Sequence, residues 1–278
     1  MITRWILIIL IIGINCTSPP PLPLFQPPEL ARVEMGRRYV ALFWYRSVDE
    51  GDDAFVGYNV YSFPDSNLYD LAGNSDTLEC YLVTEGPIQD SFYVIPNLSQ
   101  DSIYYLQVRS VGRWNTISDH PEWRFVAASP RPEFTVTLEF NSGSDSRCAL
   151  HFATGKSGRR SDLSEEWGDL WVEYDSLKDS IWFDSPDYGN QNCRKTFFEN
   201  KGRMNFNDLT EITQDPNKIR VPIRDGDLVV AKTEDGNYVK IHVDEITWSD
   251  TTVRLTYAYQ NIQNFPHFGG KNGYHLFD

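Results

Sequence analysis

The sequence predicts an all-β chain of two domains, a β-sandwich followed by a second antiparallel β-rich domain. Three observations carry this. Apolar and polar residues alternate in short runs such as Phe134–Phe140 (FTVTLEF), the period of a half-buried strand. Turn residues, chiefly Pro, Gly, Asp and Asn, recur at the roughly eight- to twelve-residue spacing of sandwich folds. Aromatic residues make up 14 % of the chain and sit beside Val, Ile and Thr, a mixture suited to pleated surfaces. At 278 residues there is room for two cores of ordinary size.

The chain opens with Arg4 and an apolar run from Trp5 to Ile12, then Gly13, Asn15 and Cys16. The run is shorter than the ~20 residues a spanning helix needs and has the length of a secretory signal core. With Gly13 three positions before Cys16, it resembles a bacterial lipoprotein signal, although Asn15 stands where Gly, Ala or Ser is usual. The resemblance implies cleavage before Cys16 and lipid attachment to its sulfur, placing the protein on the cell envelope, at the outer membrane or cell surface. Residues 17–28 are rich in proline and read as an extended tether.

Residues 29–129 form the first predicted domain. Strands are expected over Glu29–Met35, Arg38–Arg46, Phe55–Phe63, Thr77–Thr84, Ser91–Ile95, Ile103–Val111 and Trp123–Ala127. Val40, Leu42 and Trp44, then Tyr58, Val60 and Tyr61, then Leu98, Tyr104, Leu106 and Val108 together resemble the strand motifs of fibronectin type III domains. The resemblance implies structural roles. Trp44 belongs to the core, Leu98 to the crossing loop, and Tyr104 is the corner tyrosine whose hydroxyl ties that loop to backbone. The acidic run Asp49-Glu50-Gly51-Asp52-Asp53 offers clustered oxygens to calcium but lacks the full ligand spacing.

Ser129-Pro130-Arg131-Pro132 is the expected boundary, because proline breaks helix and ladder alike. Within the second domain, 130–278, strands are expected over Phe134–Phe140, Ala149–Ala153, Asp169–Tyr174, Ser180–Phe183, Ile219–Ile223, Leu228–Thr233, Tyr238–Val243 and Thr251–Tyr259. Asp208–Ile212 reads as a brief helical or extended stretch. Val229, Thr233, Asp235, Gly236, Tyr238, Lys240 and the run Leu255–Tyr259 resemble the C-terminal part of HmuY-type surface lipoproteins. That resemblance implies an all-β fold and, in the family's named members, haem held by two histidines. His151, His242 and His267 match no ligand position of that family.

The formal net charge of −14 and the absence of a basic cluster exclude nucleic acid as an expected partner. No HExxH, GxSxG or phosphate-cradling glycine loop is present, so no catalytic residues are assigned. Export permits disulfides, and Cys148 with Cys193 is the expected pair, leaving Cys80 as a buried thiol on a strand. Glu165, Glu166 and Asp169 beside Trp167, Trp171 and Trp182 form the candidate sugar-facing patch, with strand-face core packing of Trp171 and Trp182 as the favoured reading, while His151 and His242 are the histidines a haem site in this domain would use. The function expected is a lipid-anchored, non-catalytic binding, adhesion or assembly module, its partners the membrane and another envelope protein or a glycan. Two alternatives stand beside it: a haem or small-ligand scavenger, and a carbohydrate-binding or carbohydrate-active surface protein.

Overall fold

Alternating runs close into strands where both faces of the alternation find something to bury against. The computed structural model describes residues 25–71, 76–140, 146–188 and 192–271, so the signal, Cys16 and the tether up to residue 24 lie outside the described residues. The first domain holds β1 (Leu30–Met35), β2 (Val40–Trp44), β3 (Phe55–Phe63), β4 (Phe92–Ile95), β5 (Tyr104–Gly112) and β6 (Val126–Ala128). They form two facing sheets, with β1-β2-β4 in one and β3-β5-β6 in the other. Val33, Leu42 and Trp44 meet Val60, Leu106 and Val108 between them, and Trp44 packs its edge on Tyr58 at 5.5 Å.

The expected strand over Thr77–Thr84 does not form. Asp76–Glu79 is instead a single helical turn, α1, which drops Leu78 onto Tyr61 and Phe63 in a small satellite core. Only the end of the stretch is extended: Leu82 bridges antiparallel to Tyr61, and the Val83 N–H donates to Val60 O at 2.8 Å. Cys80 follows this turn and is an exposed thiol, not a buried strand residue.

The second domain comprises β7 (Glu133–Glu139), β8 (Ala149–His151), β9 (Lys156–Gly158), β10 (Leu170–Asp175), β11 (Ser180–Asp184), β12 (Thr196–Arg203), β13 (Arg220–Ile223), β14 (Asp227–Thr233), β15 (Tyr238–Thr247) and β16 (Thr252–Tyr259). Two five-stranded sheets, β13-β11-β10-β8-β9 and β12-β14-β15-β16-β7, enclose one core that includes Leu138, Phe152, Val172, Phe183, Ile241, Leu255 and Tyr257. The strand β12 was not expected. It is an edge strand that sends Phe198 into the core and shows polar side chains along much of its length.

The junction is buried throughout. Ser129 and Arg131 are at most 3 % exposed. The Arg131 N–H donates to Gly36 O at 2.8 Å, and its guanidinium donates to Phe268 O and Glu133 Oε1, both at 2.6 Å. Phe265 of the second domain packs with Phe125 and Ala127 of the first. The chain then returns to the first domain as β17 (Gly270–Lys271), antiparallel to β1. Gly269, at φ +73°, allows this crossing because a Cβ there would lie 2.8 Å from Val33 O.

The junction fixes which ends are free. The β1–β2 hairpin turns at the junction, since Gly36 touches Arg131, so β2 runs away from it. The β2–β3 loop, the β5–β6 loop and Phe25, where the described chain begins, therefore share the opposite end of the first sandwich. In the second domain β7 leaves the junction and ends at Glu139 beside Thr252. Its free end therefore carries the β15–β16 turn.

Candidate functional site

That free end is closed by three aromatic side chains drawn from both sheets. Phe140, just past β7, is buried and meets Trp248 edge-on at 5.4 Å. Tyr174, at the end of β10, meets Trp248 edge-on at 5.6 Å. Trp248 sits in the β15–β16 turn, where the Thr251 N–H bonds Trp248 O at 3.3 Å and the Phe140 N–H bonds Thr251 O at 2.9 Å. Propped this way, the indole is 55 % exposed. Beside it the β10–β11 hairpin turns through Asp175, whose Oδ1 accepts from the N–H groups of Leu177 and Lys178, and Leu177 projects with 97 % of its surface in solvent. The Tyr174 hydroxyl donates to Asp179 Oδ1 at 2.7 Å, and this bond to a carboxylate holds the phenol above its ordinary pKa. The end thus presents a fixed indole, a bare leucine and carboxylates that can accept hydrogen bonds, groups whose chemistry suits stacking on an apolar or hydroxyl-bearing face.

Phe140, Tyr174, Leu177 and Trp248 were not singled out from sequence. The one available signal was a tryptophan inside a Ser-Asp turn, where strand alternation has already ended and the core offers no place for it.

The candidate sugar patch does not assemble, and Trp171 packs in the interior as the favoured reading has it. Asp169 is 2 % exposed and spends its oxygens on the Phe152 N–H at 2.9 Å and Arg194 Nε at 3.0 Å. Trp171 is buried, donates to Ser185 O at 3.2 Å, and has its ring covered by the Arg160 guanidinium at 3.7 Å. Trp182 is likewise faced by Arg220 at 4.5 Å. Trp167 lies parallel to the His151 ring at 6.3 Å, and Glu165 and Glu166 stay in the exposed loop before it.

His151 and His242 do not converge. His151 bonds Thr154 Oγ1 at 3.0 Å on the outer face of the β10 sheet, whereas His242 bonds Asp244 Oδ1 at 2.7 Å on the outer face of the opposite sheet. A full sandwich, about 10 Å between sheets, separates them, so the pair cannot ligate one haem. His267 is buried against Phe265 at the junction. Among the described residues no group of three His, Cys, Asp or Glu side chains could hold a metal ion. In the acidic loop Asp49 and Asp52 accept from the N–H groups of Gln26 and Ala54, and Glu50 pairs with Arg46, so those oxygens shape a turn.

Cys80, Cys148 and Cys193 are free thiols. Cys148 O accepts from the Val172 N–H, whereas Cys193 adjoins Arg194, which binds Asp169 three residues back along the strand, about 10 Å away at strand rise. The two cysteines thus have different neighbours, and the expected pairing is corrected. Trp44 lies in the first core, Leu98 packs against it, and Tyr104 Oη accepts from the Ser99 N–H at 2.9 Å.

Two buried charges mark the outer faces of the second sandwich. Asp184 lies 2.7 Å from Arg220 Nε without hydrogen-bond alignment, and burial outweighs that attraction, raising its pKa to about 7. Lys240 Nζ sits 4.3 Å from the Phe206 ring and donates to Leu209 O at 3.1 Å. Burial, helped by Arg131, lowers its pKa to about 6. At the junction a cleft of about 320 Å³ is lined by Arg32, Glu34, Arg131 and Glu133, which form the ion pairs Arg32–Glu34 and Arg131–Glu133.

No protein-family model matches the chain, and no curated protein matches it.

Proposed function

We propose that this chain is a lipid-anchored protein of the cell envelope, held through Cys16 at the outer membrane or cell surface, that acts as a non-catalytic binding module. The first domain is read as fibronectin type III-like, a reading that its β1-β2-β4 and β3-β5-β6 strand order supports. The observation that carries the functional reading is the placement of the two free ends. The chain enters at one end, next to the lipoprotein-like signal, and the propped Trp248 and bare Leu177 stand at the other, across a buried junction. A rigid two-domain spacer with an exposed aromatic end is suited to presenting a ligand surface away from a membrane.

The anchor is tested by growing cells with an alkyne-bearing palmitate analogue and isolating the full chain. Label is expected on the wild-type protein and lost on Cys16→Ser; equal labelling of the two contradicts the reading. A glycan is the ligand class that the exposed indole beside Asp179 favours. Binding to a panel of immobilised glycans that Trp248→Ala abolishes, with folding intact, would support it. Binding unaffected by Trp248→Ala removes this end from consideration.

A further inference from the structure

We infer that the anchored end of the first sandwich rests on the bilayer surface, with Trp114, Val48 and Tyr45 reaching the boundary between lipid headgroups and acyl chains. The inference rests on the lipid-anchor reading. Trp114 is 74 % exposed, Val48 80 % and Tyr45 59 %, and all three lie on the loops that share the end where the chain enters. Trp114 and Asn115 both hold left-handed backbone, at φ 58° and 57°, a conformation disfavoured for residues with a side chain. The loop is fastened at its base, with the Arg113 N–H on Ala54 O and the Gly112 N–H on Thr116 O, both 2.7 Å. A strained, fastened loop that points its largest apolar side chain into solvent has no rationale in the core.

The occupant follows from where the chain enters. Phe25 is buried against Phe55. Gln26 O accepts from Ser47 Oγ at 2.9 Å and Ser110 Oγ at 2.6 Å. The ten residue steps from Cys16 to Gln26 span at most about 35 Å fully extended, so an acylated Cys16 keeps this end within that distance of its membrane. Tryptophan and tyrosine favour the bilayer interface, where an apolar ring and a polar tip are both satisfied. The charges around them are Arg46 and Arg113 against Glu29, Asp49, Glu50, Asp52, Asp53, Glu79 and Glu122. This acidic balance suits a zwitterionic surface and is repelled by an anionic one.

The test uses the acylated full chain in phosphatidylcholine vesicles carrying bromine on the acyl chains. Bromine quenches indoles at the interface, so wild-type emission is expected to be quenched by a larger fraction than that of Trp114→Phe, and Val48→Asp is expected to reduce the quenching. Equal fractional quenching of wild type and Trp114→Phe, with both proteins floating with the vesicles, overturns the inference and leaves the anchor standing. Failure of the wild-type chain to float, as expected only of Cys16→Ser, overturns the anchor reading itself. Protection of Trp114 from a soluble quencher that rises with protein concentration without lipid would assign the end to a second copy and also overturn the inference.

Discussion

The two free ends of the molecule expose tryptophan in opposite ways. At the far end Trp248 leans on Phe140 and Tyr174, so its position is set by packing. At the near end Trp114 stands on strained backbone with three-quarters of its surface in solvent. Packing orients a ring for a defined ligand, whereas a bare ring on a fastened loop suits a fluid surface that moulds to it. The same contrast appears across the second sandwich. Asp184 is covered by Arg220 and its neighbours, Lys240 by Phe206 and Phe268, so one face buries its charge among charges and the other among rings.

Removing the support at the far end should have the largest effect. Phe140→Ala empties a buried aromatic site, with an expected loss of about 3–5 kcal/mol in denaturant unfolding. Trp248 emission should shift red as the ring loses its seat, and an unchanged spectrum would break the contrast between the ends.

Next come the buried charges, whose pH dependences have opposite sign. The lowered pKa of Lys240 means that its contribution to stability is present above pH 10.5, its ordinary value, and is lost as pH falls toward about 6. Asp184 is raised from 3.8 to about 7, so its contribution is present below pH 3.8 and lost as pH rises through 7. Lys240→Met is therefore expected to stabilise the protein at pH 7 by roughly 3 kcal/mol and to flatten the rise in stability between pH 6 and 10. Asp184→Asn should flatten the fall between pH 4 and 7. Urea midpoints measured across pH decide both, and a Lys240→Met variant less stable than wild type would contradict the assignment.

At the near end the expected change is small and favourable. Trp114→Gly relieves the left-handed strain and should raise stability by about 1 kcal/mol. Trp248→Ala, which gives up two edge-on ring contacts at a half-exposed site, should cost about 1 kcal/mol while removing whatever the far end binds.

Much of the fold could be read from strand-forming runs, because β2, β3, β5, β15 and β16 each send alternate apolar side chains into one of the two main cores, while β3 and β5 are buried on the second face as well. The reading failed where burial is set from elsewhere in the chain. β12 was missed because Phe198 is its one side chain in the main core. Thr77–Thr84 misled because one helical turn buries Leu78 as well as a strand would. The candidate site was less legible. Asp169 and Trp171 do share an outer face, but Arg160 and Arg194 reach over them from distant segments, and no local pattern announces such covers. Trp248 and Tyr174 become neighbours only because two hairpins of different sheets end together.

The central claim is a rigid chain anchored at one end and presenting the other. It is tested most directly by energy transfer to acceptor lipids in vesicles carrying the acylated protein. One dye is placed at Val48→Cys and, separately, at Leu177→Cys, with the exposed Cys80 changed to Ser. Strong transfer from position 48 and weak transfer from position 177 is the predicted result. Equal transfer from both would mean that the molecule lies flat or is held elsewhere, and would contradict the account.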